Sequence, residues 1–346
     1  MKTKFWILFA LLSFSVCSLS AQEKKAGLTL PGLNAFDIKF GGYGMLWYQY
    51  DDTKTPHDYF KPRVAFLWAE GKITDQLRFT IMGEAVSSKM YEYWAEWMPS
   101  AAFKLRAGQY KMPFTLETPI SLTTLESINY SRTVQSLGAY GLDPGVGANN
   151  GGGRDLGVQI SGALFPAEDG HNYFQYGLGV FQGAGINVVD NNKSKDFTGT
   201  LTIEPIKGFR VAGGAYFGNA NYKMDGQAEA GNHTRNRWAL SSDYQSNLLN
   251  LRAEWLNGDD GGIKKEGLYG AARFYVVPQK FNVFVKADYF NRDKDQDASV
   301  IDYTIGASCH VTKTCRFQLN YQYSDYSKEW GAKDANLVIA QFQIVF

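Results

Sequence analysis

Cys315-Arg316-Phe317-Gln318-Leu319-Asn320-Tyr321-Gln322-Tyr323 and, after a polar connection, Val338-Ile339-Ala340-Gln341-Phe342-Gln343-Ile344-Val345-Phe346 are the stretches that decide the fold. In the first, Phe317, Leu319, Tyr321 and Tyr323 alternate with Arg316, Gln318, Asn320 and Gln322, so one side of an extended strand is oily and the other fully polar. In the second, Val338, Ala340, Phe342, Ile344 and Phe346 share one face while Gln341 and Gln343 fall on the other. Period two means β-structure. It does not say whether the oily side meets a protein core or lipid.

The connections help to decide. Sixteen segments read as strands, from Phe36 to Asp51 at the start, through Leu77 to Val86 and Phe103 to Gln109, to Asp334 to Phe346 at the end. Every second connection is tight, as in Thr74-Asp75-Gln76, Pro99-Ser100-Ala101, Gln245-Ser246-Asn247 and Val311-Thr312-Lys313-Thr314. The alternate ones are mostly longer and rich in Asp, Asn and Gly, as in 183–194, 218–234, 258–266 and 324–333. Short turns at one end and long loops at the other are the asymmetry of a transmembrane antiparallel β-barrel. An even strand count returns both termini to one side, where the last strand can pair with the first and leave no edge.

Composition agrees. Aromatic residues make up 15% of the chain, with 36 Gly, as suits interfacial aromatic girdles. After the first residues no apolar run approaches the roughly 20 residues of a membrane helix. Lys2 and Lys4, the apolar run Phe5 to Leu12 and the small-residue exit Ser18 to Ala21 read as an export signal over 1–21. Residues 22–35 read as a short tether, and 36–346 as one barrel domain. A net charge of +1 points to no nucleic-acid partner.

The segment Leu105-Arg106-Ala107-Gly108-Gln109-Tyr110-Lys111-Met112-Pro113-Phe114, then Glu117, Ser121, Leu125 and Tyr130-Ser131-Arg132, resembles the phosphate-selective porin O and P family, as does Gly153 to Gly162 ahead of Tyr176 to Gly183. The resemblance implies a sixteen-stranded, trimeric pore in the bacterial outer membrane, surrounded by lipid, without cofactor, passing small hydrophilic solutes or anions. Phe346 looks like the end signal read by the barrel-assembly machinery.

The connection from Lys111 to Gly152 is too long for an ordinary turn. By analogy with porins this third extracellular loop folds into the lumen, with Lys111, Glu117, Glu126 and Arg132 facing passing solute; the alternative is a surface loop over the mouth. Strand parity puts Arg78, Lys104, Arg106, Arg210, Arg252, Arg273, Lys286 and Arg316 on the polar wall, with Glu84, Glu92, Glu96, Glu204, Asp243, Glu254, Asp288 and Asp302. Unpaired, the cations would concentrate anions; paired, they would only stiffen a general pore. On the first reading, Arg106 would be a determinant of selectivity.

Cys309 and Cys315 flank a tight turn, and pairing them sets Ala307 opposite Phe317, so a cross-strand disulfide is one expectation and free thiols the other. A zinc site with His310 lacks a fourth ligand. Asp293, Asp295 and Asp297 lack the Gly and terminal Glu of a calcium loop. A membrane hydrolase finds no Ser, His and acid set. The remaining rivals are a plugged barrel whose loops bind a partner and a soluble exported sandwich.

Overall fold

In a computed structural model, which describes residues 37–346 apart from residue 225, the chain forms a closed antiparallel barrel. Its first eight strands are β1 (Asp37–Asp51), β2 (Asp58–Lys72), β3 (Leu77–Glu84), β4 (Lys89–Ser100), β5 (Phe103–Lys111), β6 (Arg154–Pro166), β7 (Asn172–Phe181) and β8 (Asp196–Ile206). The rest are β9 (Phe209–Tyr222), β10 (Gly231–Gln245), β11 (Leu249–Asp260), β12 (Ile263–Val277), β13 (Phe281–Asn291), β14 (Ser299–His310), β15 (Cys315–Tyr326) and β16 (Ala335–Val345). One short α-helix, α1 (Arg132–Leu137), and a single 3-10 turn (Gly147–Asn149) lie in the β5–β6 connection. The expected export signal and tether lie outside the described residues. No helix among the described residues is long and apolar enough to cross a membrane.

Each strand pairs with its sequence neighbours, and β1 closes on β16 with Trp47 opposite Gln341 and Leu46 opposite Phe342. Closure ends at Gly42, whose N–H donates to the Phe346 carbonyl at 2.9 Å and whose carbonyl accepts from the Phe346 N–H at 3.0 Å. A Cβ at residue 42 would stand 2.4 Å from the Phe346 ring, so the last residue packs where only glycine leaves room.

Burial is inverted relative to a water-soluble protein. Leu240, Val285, Ile305, Leu319 and Phe342 are exposed, while Arg237, Glu254, Gln318 and Gln341 are buried. Alternate residues of each strand point to opposite faces. The apolar set therefore forms an outer belt and the polar set an inner wall, the arrangement that lipid outside and polar groups inside require.

The register corrects one expectation. Cys309 pairs with Phe317 and Ala307 with Leu319, which leaves Cys315 two residues away along the neighbouring strand. Such diagonal neighbours sit ~7–8 Å apart, beyond disulfide reach. Both cysteines are free. The turn is responsible: Val311 N–H bonds the Cys315 carbonyl at 3.0 Å, so the pairing closes around 311 and 315 and not around 309 and 315. At β3 the strand stops at Glu84, short of the expected Val86, because the Glu84 carboxylate accepts the N–H groups of Val86 (2.9 Å) and Ser87 (2.6 Å) and turns the chain.

Candidate functional site: the inner wall and the β5–β6 connection

Residues 112–153 join β5 to β6, yet many of their side-chain contacts are with strands far along the chain. Helix α1 is held at both ends. Ser131 caps it by accepting from Val134 N–H at 3.2 Å, and Asp288 of β13 accepts the N–H groups of Arg132 and Thr133. A carboxylate at the start of a helix meets the positive end of its dipole. At the other end Arg237 of β10 donates to the Leu137 carbonyl at 2.8 Å, placing a cation at the negative end. Arg237 also bridges Asp143 and Asp260, and Arg132 is bidentate to Asp302 of β14 at 2.7 and 3.0 Å.

A second anchor lies on β11. Glu254 accepts from the Leu116 and Glu117 N–H groups at 2.8 Å each, and from the hydroxyls of Tyr269 and Ser241. Two positions earlier on the same face, Arg252 grips Glu126 at 2.7 Å. Lys111 closes the near end of the segment: its ammonium donates to the Thr118 and Ile120 carbonyls at 2.6 and 2.8 Å.

Glycines on the wall make room for this segment. A Cβ on Gly214 of β9 would lie 2.0 Å from the Phe114 carbonyl oxygen, one on Gly267 of β12 2.3 Å from the Thr133 hydroxyl, and one on Gly258 of β11 2.8 Å from Leu137. Gly213, facing outward beside Gly214, has open space around it. Sequence reading did not single these positions out, although each sits on a strand where a glycine weakens pairing and so marks close approach of something.

The charged candidates divide into two sets. Arg78 and Arg106 share Glu96, Arg210 pairs with Asp243, Arg252 with Glu126 and Arg132 with Asp302. Lys104 faces inward opposite Ser161. Arg273 donates to the Thr124 carbonyl at 3.1 Å, Arg316 to the carbonyls of Leu125 and Leu122 at 3.1 and 3.0 Å, and Lys286 to Ser127 and Asn129. These three meet neutral acceptors. Lys111, Glu117, Glu126 and Arg132 were expected to face solute; instead each is occupied in anchoring. Glu117 is fully buried, and the other three find partners within the segment or on the wall.

Sequence reading missed Arg237 and Arg154, which pair with Asp143 and Glu92, and also two residues of β2. Arg63 lies over the Trp47 ring at 4.6 Å and donates to Gln341 at 2.7 Å, and Lys61 lies over the same ring at 4.8 Å. The alternation Lys61-Pro62-Arg63 early in β2 was the available signal. At the short-turn end of the barrel a cavity of 480 Å³ is lined by Thr123, Thr124, Asn250, Arg273, His310 and Arg316, with no carboxylate in its lining.

With this geometry in view, comparison with known proteins decides the class. The family model described as phosphate-selective porin O and P matches residues 40–346. The chain belongs to that family. No curated protein sequence matches it. Among solved structures it is similar to an anion-selective porin from Comamonas acidovorans, with a TM-score of 0.69, 14% identity, and coverage of 90% of this chain and 100% of that one. It is also similar to OmpT, an outer membrane protein of Vibrio cholerae, in its trimer form (TM-score 0.65, 14% identity, 90% and 100% covered). A third is OmpF of Salmonella typhi in complex with daunomycin (TM-score 0.64, 14% identity, 89% and 97% covered). At such identities the likeness is one of fold. Family and fold together make this porin an outer-membrane channel for small solutes.

Proposed function

We propose that this porin prefers anions, and that residues 112–153 lie in the lumen and set its narrow part. The observation that carries the preference is the division of charges. Wall carboxylates such as Glu96, Asp243 and Asp302 are taken up by arginines, and Glu254 by hydroxyl and backbone donors, whereas Arg63, Arg273 and Arg316 meet amides and carbonyls. Neutral acceptors leave a guanidinium's charge uncancelled, and a low-dielectric wall extends its reach into the water path. The anion-selective porin to which the fold is similar agrees with this reading. Contacts from the segment to β9 through β15 support its place in the lumen.

The same reading makes the protein a channel and not an enzyme. Export with removal of 1–21, a tether over 22–35, insertion through the assembly machinery by way of Phe346, and a homotrimer belong to it as well; the trimer form of the Vibrio cholerae protein supports the last. The test is the reversal potential of the purified porin across a bilayer under a salt gradient. An anion-biased potential that weakens in Arg273→Gln is expected. An unbiased native channel would leave a general porin.

A further inference from the structure

We propose that Glu117 is a proton-operated latch for the β5–β6 connection: the segment docks on β11 while this carboxyl is protonated and loosens when it ionises. The inference rests on the segment lying in the lumen, as argued above. Glu117 is fully buried, and its two oxygens differ. Oε2 accepts from the N–H and hydroxyl of Ser131, both at 2.9 Å, which ties it to the cap of α1. Oε1 is buried without a hydrogen-bond partner. A buried carboxylate oxygen with no donor is costly, whereas a protonated one carries no charge to satisfy.

The surroundings bring cations near but give Oε1 no hydrogen bond. From β11, Arg252 stands 3.8 Å from Oε1 but directs its hydrogen bonds to Glu126, and Glu254 adds a second carboxylate whose donors are already engaged. Tyr269 on β12 donates to Glu254. Lys286 on β13 is directed at Ser127 and Asn129, and Lys111 on β5 at the Thr118 and Ile120 carbonyls. Within the segment, Glu126, Tyr130 and Tyr140 complete the shell. Three carboxylates therefore share a site in which Arg252 is the nearest cation.

Burial raises the Glu117 carboxyl to about 7; Lys286 and Arg252 pull it down, and Glu254 and Glu126 push it further up. Since docking raises the value, the docked form holds the proton more tightly than the free segment. Docking is then strongest in acid, weakens as pH climbs above the ordinary 4.5, and has lost on the order of a hundredfold in its equilibrium once pH passes about 7.

The test is amide hydrogen exchange of residues 114–134 in the intact, detergent-solubilised barrel at roughly pH 5 and pH 8.5, corrected for intrinsic rates. Expected is strong protection in acid that falls at alkaline pH in the native protein and stays constant in Glu117→Gln. Protection that ignores pH in the native protein, or an unchanged dependence in Glu117→Gln, would overturn the latch. Should that variant not assemble, Ser131→Ala removes a donor to the ionised form and moves the transition to higher pH; an unmoved transition counts against the proposal. Exchange needs no current, so a barrel that conducts nothing would count against the channel reading alone.

Discussion

Arg252 of β11 meets Glu126 of the β5–β6 connection through two hydrogen bonds, Nη1 to Oε1 at 2.7 Å and Nη2 to Oε2 at 3.3 Å, across 126 residues of chain. Both side chains are almost fully buried, so removing one strands the other. Arg252→Met is expected to weaken docking of the segment by about 3–5 kcal/mol, and the double replacement Arg252→Met with Glu126→Leu to recover much of that loss. Protease cleavage within 112–153 of the folded barrel measures it. Equal sensitivity in the single and double variants would mean that the pair contributes little.

Arg106 and Arg273 should behave differently although strand parity treats them alike. Arg106 lies 2.6 Å from Glu96 and over the Trp94 ring at 4.1 Å, whereas Arg273 meets the Thr124 carbonyl. Neutralising Arg106 as Arg106→Gln is expected to leave the reversal potential near the native value. Arg273→Gln should lower anion bias. The opposite order would return Arg106 to the role that the alternation alone gave it.

Gly214 and Gly213 are adjacent on β9 but face opposite ways. Gly214→Ala would drive a methyl group into the Phe114 carbonyl and displace the segment, while Gly213→Ala meets open space. Both variants should form heat-modifiable barrels on gels. Only the first should gain protease sensitivity in 112–153 and an altered conductance; identical behaviour of the two would show that the wall does not hold the segment there.

The cysteines give a simple check of register. With Cys309 opposite Phe317, both thiols should react with a maleimide in detergent without prior reduction, and gel mobility should not change on reduction. Labelling only after reduction would mean that the strands pair two residues out of step.

Barrel, strand number and sidedness were legible because lipid imposes a uniform rule: every second residue must be oily, from Phe317 to Ile344. The inner wall obeys no such rule. Which carboxylate meets Arg252, or that Lys111 donates to the Thr118 and Ile120 carbonyls, depends on which strands a segment without period-two alternation meets. Register at the 311–315 turn was equally hidden, since shifts of two residues keep every side chain on its own face. Lys61 and Arg63 of β2 were missed because the parity assignment left that strand's charges out, as it did Arg154 of β6 and Arg237 of β10.

The anchors also bear on the order of events in assembly. Leu122 bonds Arg316 across 194 residues, and Arg132 bonds Asp302 across 170. Contacts so distant in sequence form late, after the chain between them has paid its entropy of closure. Strands β1 to β8 can pair before these partners exist, but the connection finds its seat only when β9 to β15 have arrived. The segment is therefore seated last, and truncation before β15 is expected to remove the Arg316 contacts that hold Leu122 and Leu125, which raised protease cleavage within 112–153 would report.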